Sequence, residues 1–388
     1  MSLFTSRGMP MPDAPQLLGD RTHARATGTV VTDDTARRHS AVWACRRLRA
    51  DLLSTMPVDA YRMVGGIQVE VPKPPVLLAP GGAKVEMHEW LWMSQDDLDG
   101  NGNVVGIITA VDGLGLPARI ELQDLSTVSV RGKGSDITGW KIEGKDYEPH
   151  QIWHERQYPR SGNPLGMSPT MYAAWSINQY LSAQRFSLDW FGGGAIPAAA
   201  LKNTAKTINP TQAGEIKKMY KATVAAGDVF VHGSDWELKA LSSTSADAAW
   251  LDMQNASIAD IARYYGCPVD LIEAAVQSGS LTYASISQRN LQLIIMNLGP
   301  VVVRREAGLT RMVATPRFVK LNSDAILRMD PETRAKVLGQ KVKDRLITPS
   351  EARAIDNLPP YTDEQYAEFD RVFGRPGTKP TAGTGATS

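Results

Sequence analysis

The chain has 388 residues, of which 43% are hydrophobic and 21% charged, with a formal net charge of +1. That length exceeds one ordinary core and points to two or more lobes, and the near-zero charge argues against a protein that grips nucleic acid by bulk positive potential. No apolar run reaches the roughly 18 residues of a membrane span, and the opening MSLFTSRGMPMPDAPQ lacks the basic-then-apolar build of a signal peptide.

Residues 1–35, weakly periodic and holding Pro, Thr and Gly, are expected to form a flexible arm. A helix follows in ARRHSAVWACRRLRADLLSTM, with Val42, Cys45, Leu52 and Met56 apolar and Pro57 closing it. Its Arg37, Arg38, Arg46, Arg47 and Arg49 form the densest basic cluster of the chain. The plain reading is a solvated or ion-paired helix face, and the alternative is a nucleic-acid contact. Cys45 and Cys267 are far apart and have no neighbours at metal-ligand spacing, so both read as reduced core residues.

From Val58 to Tyr158 the pattern turns to short strands. VDAYRMV and IQVEV flank Gly65-Gly66 as a hairpin, and the helical EMHEWLWMSQDDL precedes a turn at Asn101-Gly102-Asn103. VVGIITAV, ARIELQDL, TVSVRG, GWKIEG and QIWHERQY supply further strands, which makes this an α+β lobe. Two sites in it resemble chemistry without supporting it. Gly139 to Lys145 has phosphate-loop spacing, but Asp146 stands where a hydroxyl should meet magnesium, and Trp140 and Ile142 alternate as a strand. His150 and His154 match neither order of the HExxH zinc motif, and four residues apart on a strand they would lie roughly 13 Å apart.

Ser168-Pro169 is a helix start, with serine as cap and proline at the first turn. The helix carries Tyr172, Trp175, Ile177, Leu181, Leu188 and Phe191 as its apolar positions and stops at Gly192-Gly193-Gly194. Residues 195–245 then read as a small α/β unit. In it AIPAAAL is a strand, Asn209-Pro210 opens a helix, and DVFVH pairs with WELKAL across Gly233-Ser234.

The stretch Trp250–Met312 organises the rest. Met253, Ile258, Ile261 and Tyr265 mark one helix, ended by Gly266 and Pro268. Tyr283, Ile286, Leu291, Ile294, Ile295 and Leu298 mark a second, which Pro300 is expected to kink or interrupt. Between them Gln277-Ser278-Gly279-Ser280 has loop chemistry. From Tyr264 to Gln288 the only charges are Asp270 and Glu273, so the insert has neither lysine nor arginine. Beyond it, TPRFVKLN reads as a strand, Asp330-Pro331-Glu332 opens a helix, Thr348-Pro349-Ser350-Glu351 is a capping box, and a last helix spans about Asp363 to Arg371. The closing GRPGTKPTAGTGATS is low-complexity and expected to be disordered.

Several of these blocks, in this order, resemble the HK97-like portal proteins of tailed bacteriophages over residues 36–372. They are Ala41-Val42-Trp43-Ala44-Cys45 with Met56-Pro57-Val58; Gly102-Asn103; His154 with Gly166-Met167-Ser168-Pro169; Ile261 to Pro268 (IARYYGCP); Thr282-Tyr283 with Gln288; Thr348-x-Ser350-Glu351-Ala352-Arg353; and Leu358-Pro359-Pro360. Cys267, Ser287 and Ser350 depart from the family's usual residues.

The resemblance implies a portal-type α+β fold with a strand-rich wing, long stem helices, a small α/β clip and a helical crown. Its boundaries would be wing 36–167, stem 168–194, clip 195–245, returning stem 246–268, tunnel loop 269–283, wing helix and strand 284–329, crown 330–372 and tail 373–388. It further implies a ring, generally a dodecamer, at one capsid vertex of the virion, assembled in the host cytoplasm and passing double-stranded DNA in packaging and ejection. The implied partners are further copies of the chain, the large terminase, a head–tail adaptor and the major capsid protein, with no cofactor, metal or membrane.

Val276, Gln277, Ser278, Gly279, Ser280, Leu281 and Thr282 would then line the channel. DNA presents a phosphate charge per roughly 1.7 Å, and lysine or arginine would hold it, so a basic-free loop suits a bore through which DNA must slide. Nine tryptophans and many ionisable residues are compatible with extensive contacts between subunits. The alternatives are an enzyme of hydrolytic or nucleotide-dependent class, for which no complete motif is present, and another capsid or tail connector.

Overall fold

Gly65 and Gly66, at φ +58° and +82°, turn two alternating runs into a hairpin of β4 (Val58–Val64) and β5 (Ile67–Val71). Positive φ costs glycine nothing. In the computed structural model, residues 16–17, 25–26, 29–133, 136–192, 199–204, 209–225, 231, 235–240, 256–272, 292–323, 331–356 and 358–373 are described. The chain divides into two units, Met1–Ser323 and Asp324–Ser388.

In the first unit the short strands β1 (Gln16–Leu17), β2 (Arg25–Ala26) and β3 (Thr29–Val30) lead into a one-turn helix α1 (Asp33–Ala36), capped by Thr32. The arm expected through residue 35 is therefore not loose at its end. Val31 and Ala36 are fully buried in a core cluster, because α1 carries the carboxylate of Asp33 onto a buried arginine. Helix α2 (Ser40–Ser54) starts later than the apolar pattern suggested. His39 caps it, its Nδ1 accepting from the Ala41 N–H at 3.2 Å.

Helices α3 (Pro75–Leu78) and α4 (Met87–Asn101) follow the hairpin. Strands β6 (Asn103–Val111), β7 (Pro117–Leu122), β8 (Val128–Lys133), β9 (Asp136–Ile142), β10 (Lys145–Tyr147) and β11 (Ile152–Arg156) all pair antiparallel. They make one sheet in the order β1-β8-β9-β10 and another in the order β11-β6-β7. Inward residues of both sheets, Val105, Val128, Val130, Trp140, Ile142 and Ile152, share one apolar cluster. The Gly139–Lys145 segment is strand β9, a turn and the start of β10, with Glu143 and Gly144 at positive φ, and not a loop entering a helix.

Helices α5 (Pro169–Tyr172) and α6 (Ala174–Gly192) follow, broken at Ala173 where one helix was expected. Ser168 caps α5, its Oγ accepting from the Met171 N–H at 3.0 Å. Ile177 is buried as predicted, but Trp175 and Leu188 are 71% and 74% exposed.

The small unit after α6 holds β12 (Ala199–Asn203), α7 (Pro210–Ala225) and β13 (Trp236–Ala240). Here β13 pairs with β12, Ala199 opposite Ala240 through Asn203 opposite Trp236. The sequence pattern instead predicts that WELKAL pairs with DVFVH. That segment lies outside the described residues except for Val231, so the partner that is seen is the strand before α7.

Helix α8 spans residues 256–265, and helix α9 (Gly299–Thr310) leads to β14 (Arg317–Leu321). Strand β14 pairs with β4 and closes a sheet in the order β14-β4-β5, so the chain's later half returns to its first hairpin. The second unit holds α10 (Pro331–Lys343), α11 (Pro349–Ile355) and α12 (Asp363–Phe373). Thr348 caps α11 in a reciprocal box with Glu351.

Candidate functional site

The candidate residues Val276–Thr282 lie outside the described residues. What the structure describes is how both ends of their segment are held. On the incoming side α8 buries Ile261, Ala262 and Tyr265 completely, against α2 and the start of α6. Gly266 at φ +64° ends the helix, with the Gly266 N–H bonded to the Arg263 carbonyl at 3.2 Å and the Cys267 N–H to that of Ala262 at 2.9 Å. This double bond pattern is the glycine stop that the sequence announced. A short 3-10 turn, Val269–Ile272, carries the chain onward.

On the outgoing side the chain re-enters as a π-helical turn, Leu293–Leu298, directly before α9. Pro300 does not interrupt the helix. It has no N–H for the carbonyl four residues back, and the turn ahead widens to absorb the loss while the helix runs on. The widened turn also carries Asn297 to the end of α8, where its Nδ2 donates to the Gly266 carbonyl at 2.6 Å. Described residues before and after the segment, Gly266 and Asn297, are therefore in direct contact.

That contact is rooted in buried ion pairs. Arg49 is 2% exposed and pairs through both Nε and Nη2 with Asp99, at 2.9 and 3.0 Å, while its Nη1 donates to the Tyr265 carbonyl at 2.8 Å. Burial pushes the Asp99 carboxyl up, but the Arg49 charge and hydrogen bonds from Arg49 and Gln157 outweigh it and hold the group below the usual range. The Tyr265 hydroxyl shares a 2.6 Å hydrogen bond with Thr170 of α5, whose hydroxyl also donates to the Asp99 carbonyl at 3.0 Å.

Next to this, Arg46, fully buried, binds Asp96 at 2.7 Å and also Asp33, and Arg37 bridges the same two carboxylates at 2.9 and 2.7 Å. On the outgoing side Arg305 of α9, also fully buried, binds Glu155 of β11 at 3.1 Å and Gln95 of α4 at 3.2 Å. A Cβ on Gly308 would come within 2.5 Å of the Glu155 carboxylate, so α9 approaches β11 only because that residue is glycine.

Three of the five arginines in the α2 cluster are thus neutralised in or beside the core, and only Arg38 and Arg47 are exposed. The ion-paired reading of this helix fits, and little positive charge is left there for nucleic acid. The pairing had a legible signal. Arg46 and Arg49 on α2 stand three apart, as do Asp96 and Asp99 on α4, so each pair shares one helix face at matching pitch.

Two of the blocks that carry the family resemblance, Gly102-Asn103 and His154 with Gly166-Met167, also meet in space. Gly102, at φ +75°, ends α4, and a Cβ there would lie 2.5 Å from the Met167 backbone. Beside it the Asn103 Oδ1 accepts from the Gly166 N–H at 2.8 Å and lies 3.1 Å from His154 Nε2. Burial, with Arg156 and Arg311 nearby, lowers the His154 pKa to about 3, so the ring is neutral and donates from Nε2. His39 is likewise neutral, lowered to about 4 by burial, its Nε2 3.3 Å from Ser257 on α8.

His150 sits in a short turn, Pro149–Gln151, and not on the strand with His154. Among the described residues no group of three or more His, Cys, Asp or Glu could hold a metal. Cys45 and Cys267 are both buried and unbridged, and the hydrogen bond with Cys267, together with burial, pushes the Cys45 thiol up. No helix among the described residues is long and apolar enough to cross a membrane.

Known proteins resemble this arrangement along most of its length. The family described as phage portal protein matches residues 40–357. A probable portal protein of Streptomyces phage phiC31 is 26% identical over 367 residues, covering 87% of this chain and 78% of the relative. The portal protein of Enterobacteria phage HK97 is 21% identical over 355 residues, covering 87% and 83%. Among solved structures, an HK97-family phage portal protein from Corynebacterium diphtheriae superposes with a TM-score of 0.60 at 19% identity, covering 78% of this chain and all of that one. A chain from the neck of a native gene transfer agent particle, computed with C12 symmetry, gives 0.57 at 16% identity, covering 90% and 96%.

Proposed function

This chain belongs to the phage portal protein family, and from that premise we propose that it forms a ring-shaped channel for double-stranded DNA at one capsid vertex. One observation carries the channel reading. The segment from Tyr264 to Gln288 has no lysine or arginine, and Asn297, on the helical turn beyond it, donates to the Gly266 carbonyl near its start. A segment anchored at one root can project toward an axis without loosening the subunit that holds it. Cationic side chains at a constriction would condense on phosphates and release counterions, which stabilises a stationary complex. Their absence leaves DNA free to slide. In this reading Val276–Thr282 line the bore.

The family supports the same allocation of the remaining parts. Residues 36–167 would serve as wing, 168–194 and 246–268 as stem helices, 195–245 as clip, 284–329 as wing helix and strand, and 330–372 as crown. Further copies complete the ring, in keeping with the C12 symmetry with which the gene transfer agent neck, whose chain has a similar fold, was computed. The large terminase, the head–tail adaptor and the major capsid protein would dock on its outer faces. The role requires no cofactor and no catalytic residue, since the work is positioning and passage.

The test places charge where none stands. Gln277→Lys with Ser280→Lys should leave ring assembly intact, seen as end-on rings in electron micrographs, while DNA packaging slows or stalls in a defined packaging reaction. Packaging at the unsubstituted rate would remove the segment from the bore. Purified chain that shows no central hole would remove the ring itself.

A further inference from the structure

The C-terminal unit has helices but little core. Among its described apolar residues only Leu338 is buried, at 9% exposure. On α12, Tyr366, Phe369, Val372 and Phe373 recur on one face and are 41–77% exposed. The face is organised: Tyr361 meets Phe369 at 5.0 Å between ring centres, Phe369 stacks on Phe373 at 6.0 Å, and the Arg353 guanidinium lies 3.8 Å over Tyr361. A helix gains its stability by burying such a stripe, and three short helices without a shared core do not hold together on propensity alone.

Charge says what covers it. Residues 363–373 carry Asp363, Glu364, Glu368 and Asp370 against Arg371 alone, a net charge of −3. Residues 331–345 carry Arg334, Lys336, Lys341, Lys343 and Arg345 against Glu332 and Asp344, a net charge of +3. The basic segment has its own exposed apolar residue, Val337, and Leu346 follows it at 72% exposure. Lys341 and Lys343 are exposed on one helix, as are Glu364 and Glu368 on the other. One chain therefore carries two amphipathic surfaces of opposite sign. A head-to-tail ring needs that of each copy: a surface and, elsewhere on the same chain, its complement.

We infer that the acidic aromatic face of α12 docks on the basic helix α10 of the next copy, closing a belt of C-terminal helices around the ring. The inference rests on the ring proposed above and names the contact that zips its helical end. Apolar stripe against apolar stripe supplies the attraction, and the opposed charges set direction and register.

The test uses full-length chain assembled from an equal mixture of ¹⁴N- and ¹⁵N-labelled copies. Carbodiimide coupling followed by mass spectrometry should give links from Lys341 or Lys343 to Glu364 or Glu368 that join light to heavy peptides. Reversing one side, with E364K and E368K or with K341E and K343E, removes one coupling partner and serves as the control that assigns those links. Combining all four substitutions should restore them. Rings whose links join only peptides of one label, or a combined variant that stays unlinked, would overturn the docking and leave the ring standing. Chain that forms no ring before any substitution would overturn the ring reading first.

Discussion

The same residue types perform opposite work in the two units of this protein. In residues 1–323, Arg46, Arg49 and Arg305 are withdrawn from water and each is matched to a carboxylate. In the C-terminal unit, Lys341, Lys343 and Arg345 stand in solvent, and so do most of the large apolar side chains. The difference is the presence of a core. Where apolar surface is already excluded from water, a buried ion pair cannot slide, and it fixes the pitch of α2 against α4. Among the described residues of the C-terminal unit, charge and apolar stripes face outward.

Breaking the first region should have the largest effect. Asp99→Ala strands the Arg49 guanidinium in the core, and removing one partner of a buried pair costs about 3–5 kcal/mol. Urea denaturation should show that loss, and Arg49→Met with Asp99→Leu should recover most of it. A single variant within 1 kcal/mol of the parent, on the scale of an exposed pair, would mean that the pair does not root the fold.

Acid sharpens the contrast next. His39 has a folded pKa of about 4, below its usual 6.5, so the unfolded chain binds the proton more readily. Its contribution is intact above pH 6.5 and is lost as pH falls toward 4, up to about 3 kcal/mol at 1.36 kcal/mol per unit. His154 acts in the same direction down to about pH 3. The C-terminal unit contains no histidine. A pH series of unfolding midpoints should therefore slope between 6.5 and 4, and His39→Gln should flatten that slope. An unchanged slope would contradict the buried, neutral ring.

The smallest effect belongs to the second region. Thr348→Ala removes the cap of α11 and should cost about 1 kcal/mol. Hydrogen exchange should accelerate over Pro349–Ile355 while the global unfolding midpoint holds. A shift of the global midpoint as large as that of Asp99→Ala would show that the two units share one cooperative core.

Much of this architecture was legible in residue order. Gly65-Gly66, Ser168-Pro169, Gly266 with Pro268 and the Thr348–Glu351 box each announce a turn or a helix end through local chemistry, and each stands where expected. Strand alternation from Val58 to Arg156 likewise reports its own pairing lobe. Local signals fail where the decision is made by distant partners. WELKAL gives no sign of its pairing with the distant Ala199–Asn203, which the described residues show, while the expected partner DVFVH lies outside them except for Val231. Trp175 and Leu188 are apolar at helical spacing, yet nothing in spacing says whether this chain covers them. Pro300 predicts a kinked or interrupted helix, and here a π turn precedes a helix that runs on through it.

The candidate segment divides in the same way. Its freedom from lysine and arginine is a property of sequence alone and needs no coordinates. That Gly266 and Asn297 on either side of it meet, and that Arg49, Asp99, Tyr265, Arg305 and Glu155 hold the helices carrying them, was decided only by tertiary packing. Composition sets which charges exist, but the low-dielectric core decides which of them must find a partner, and for Arg46, Arg49 and Arg305 the carboxylates lie 13 to 150 residues away.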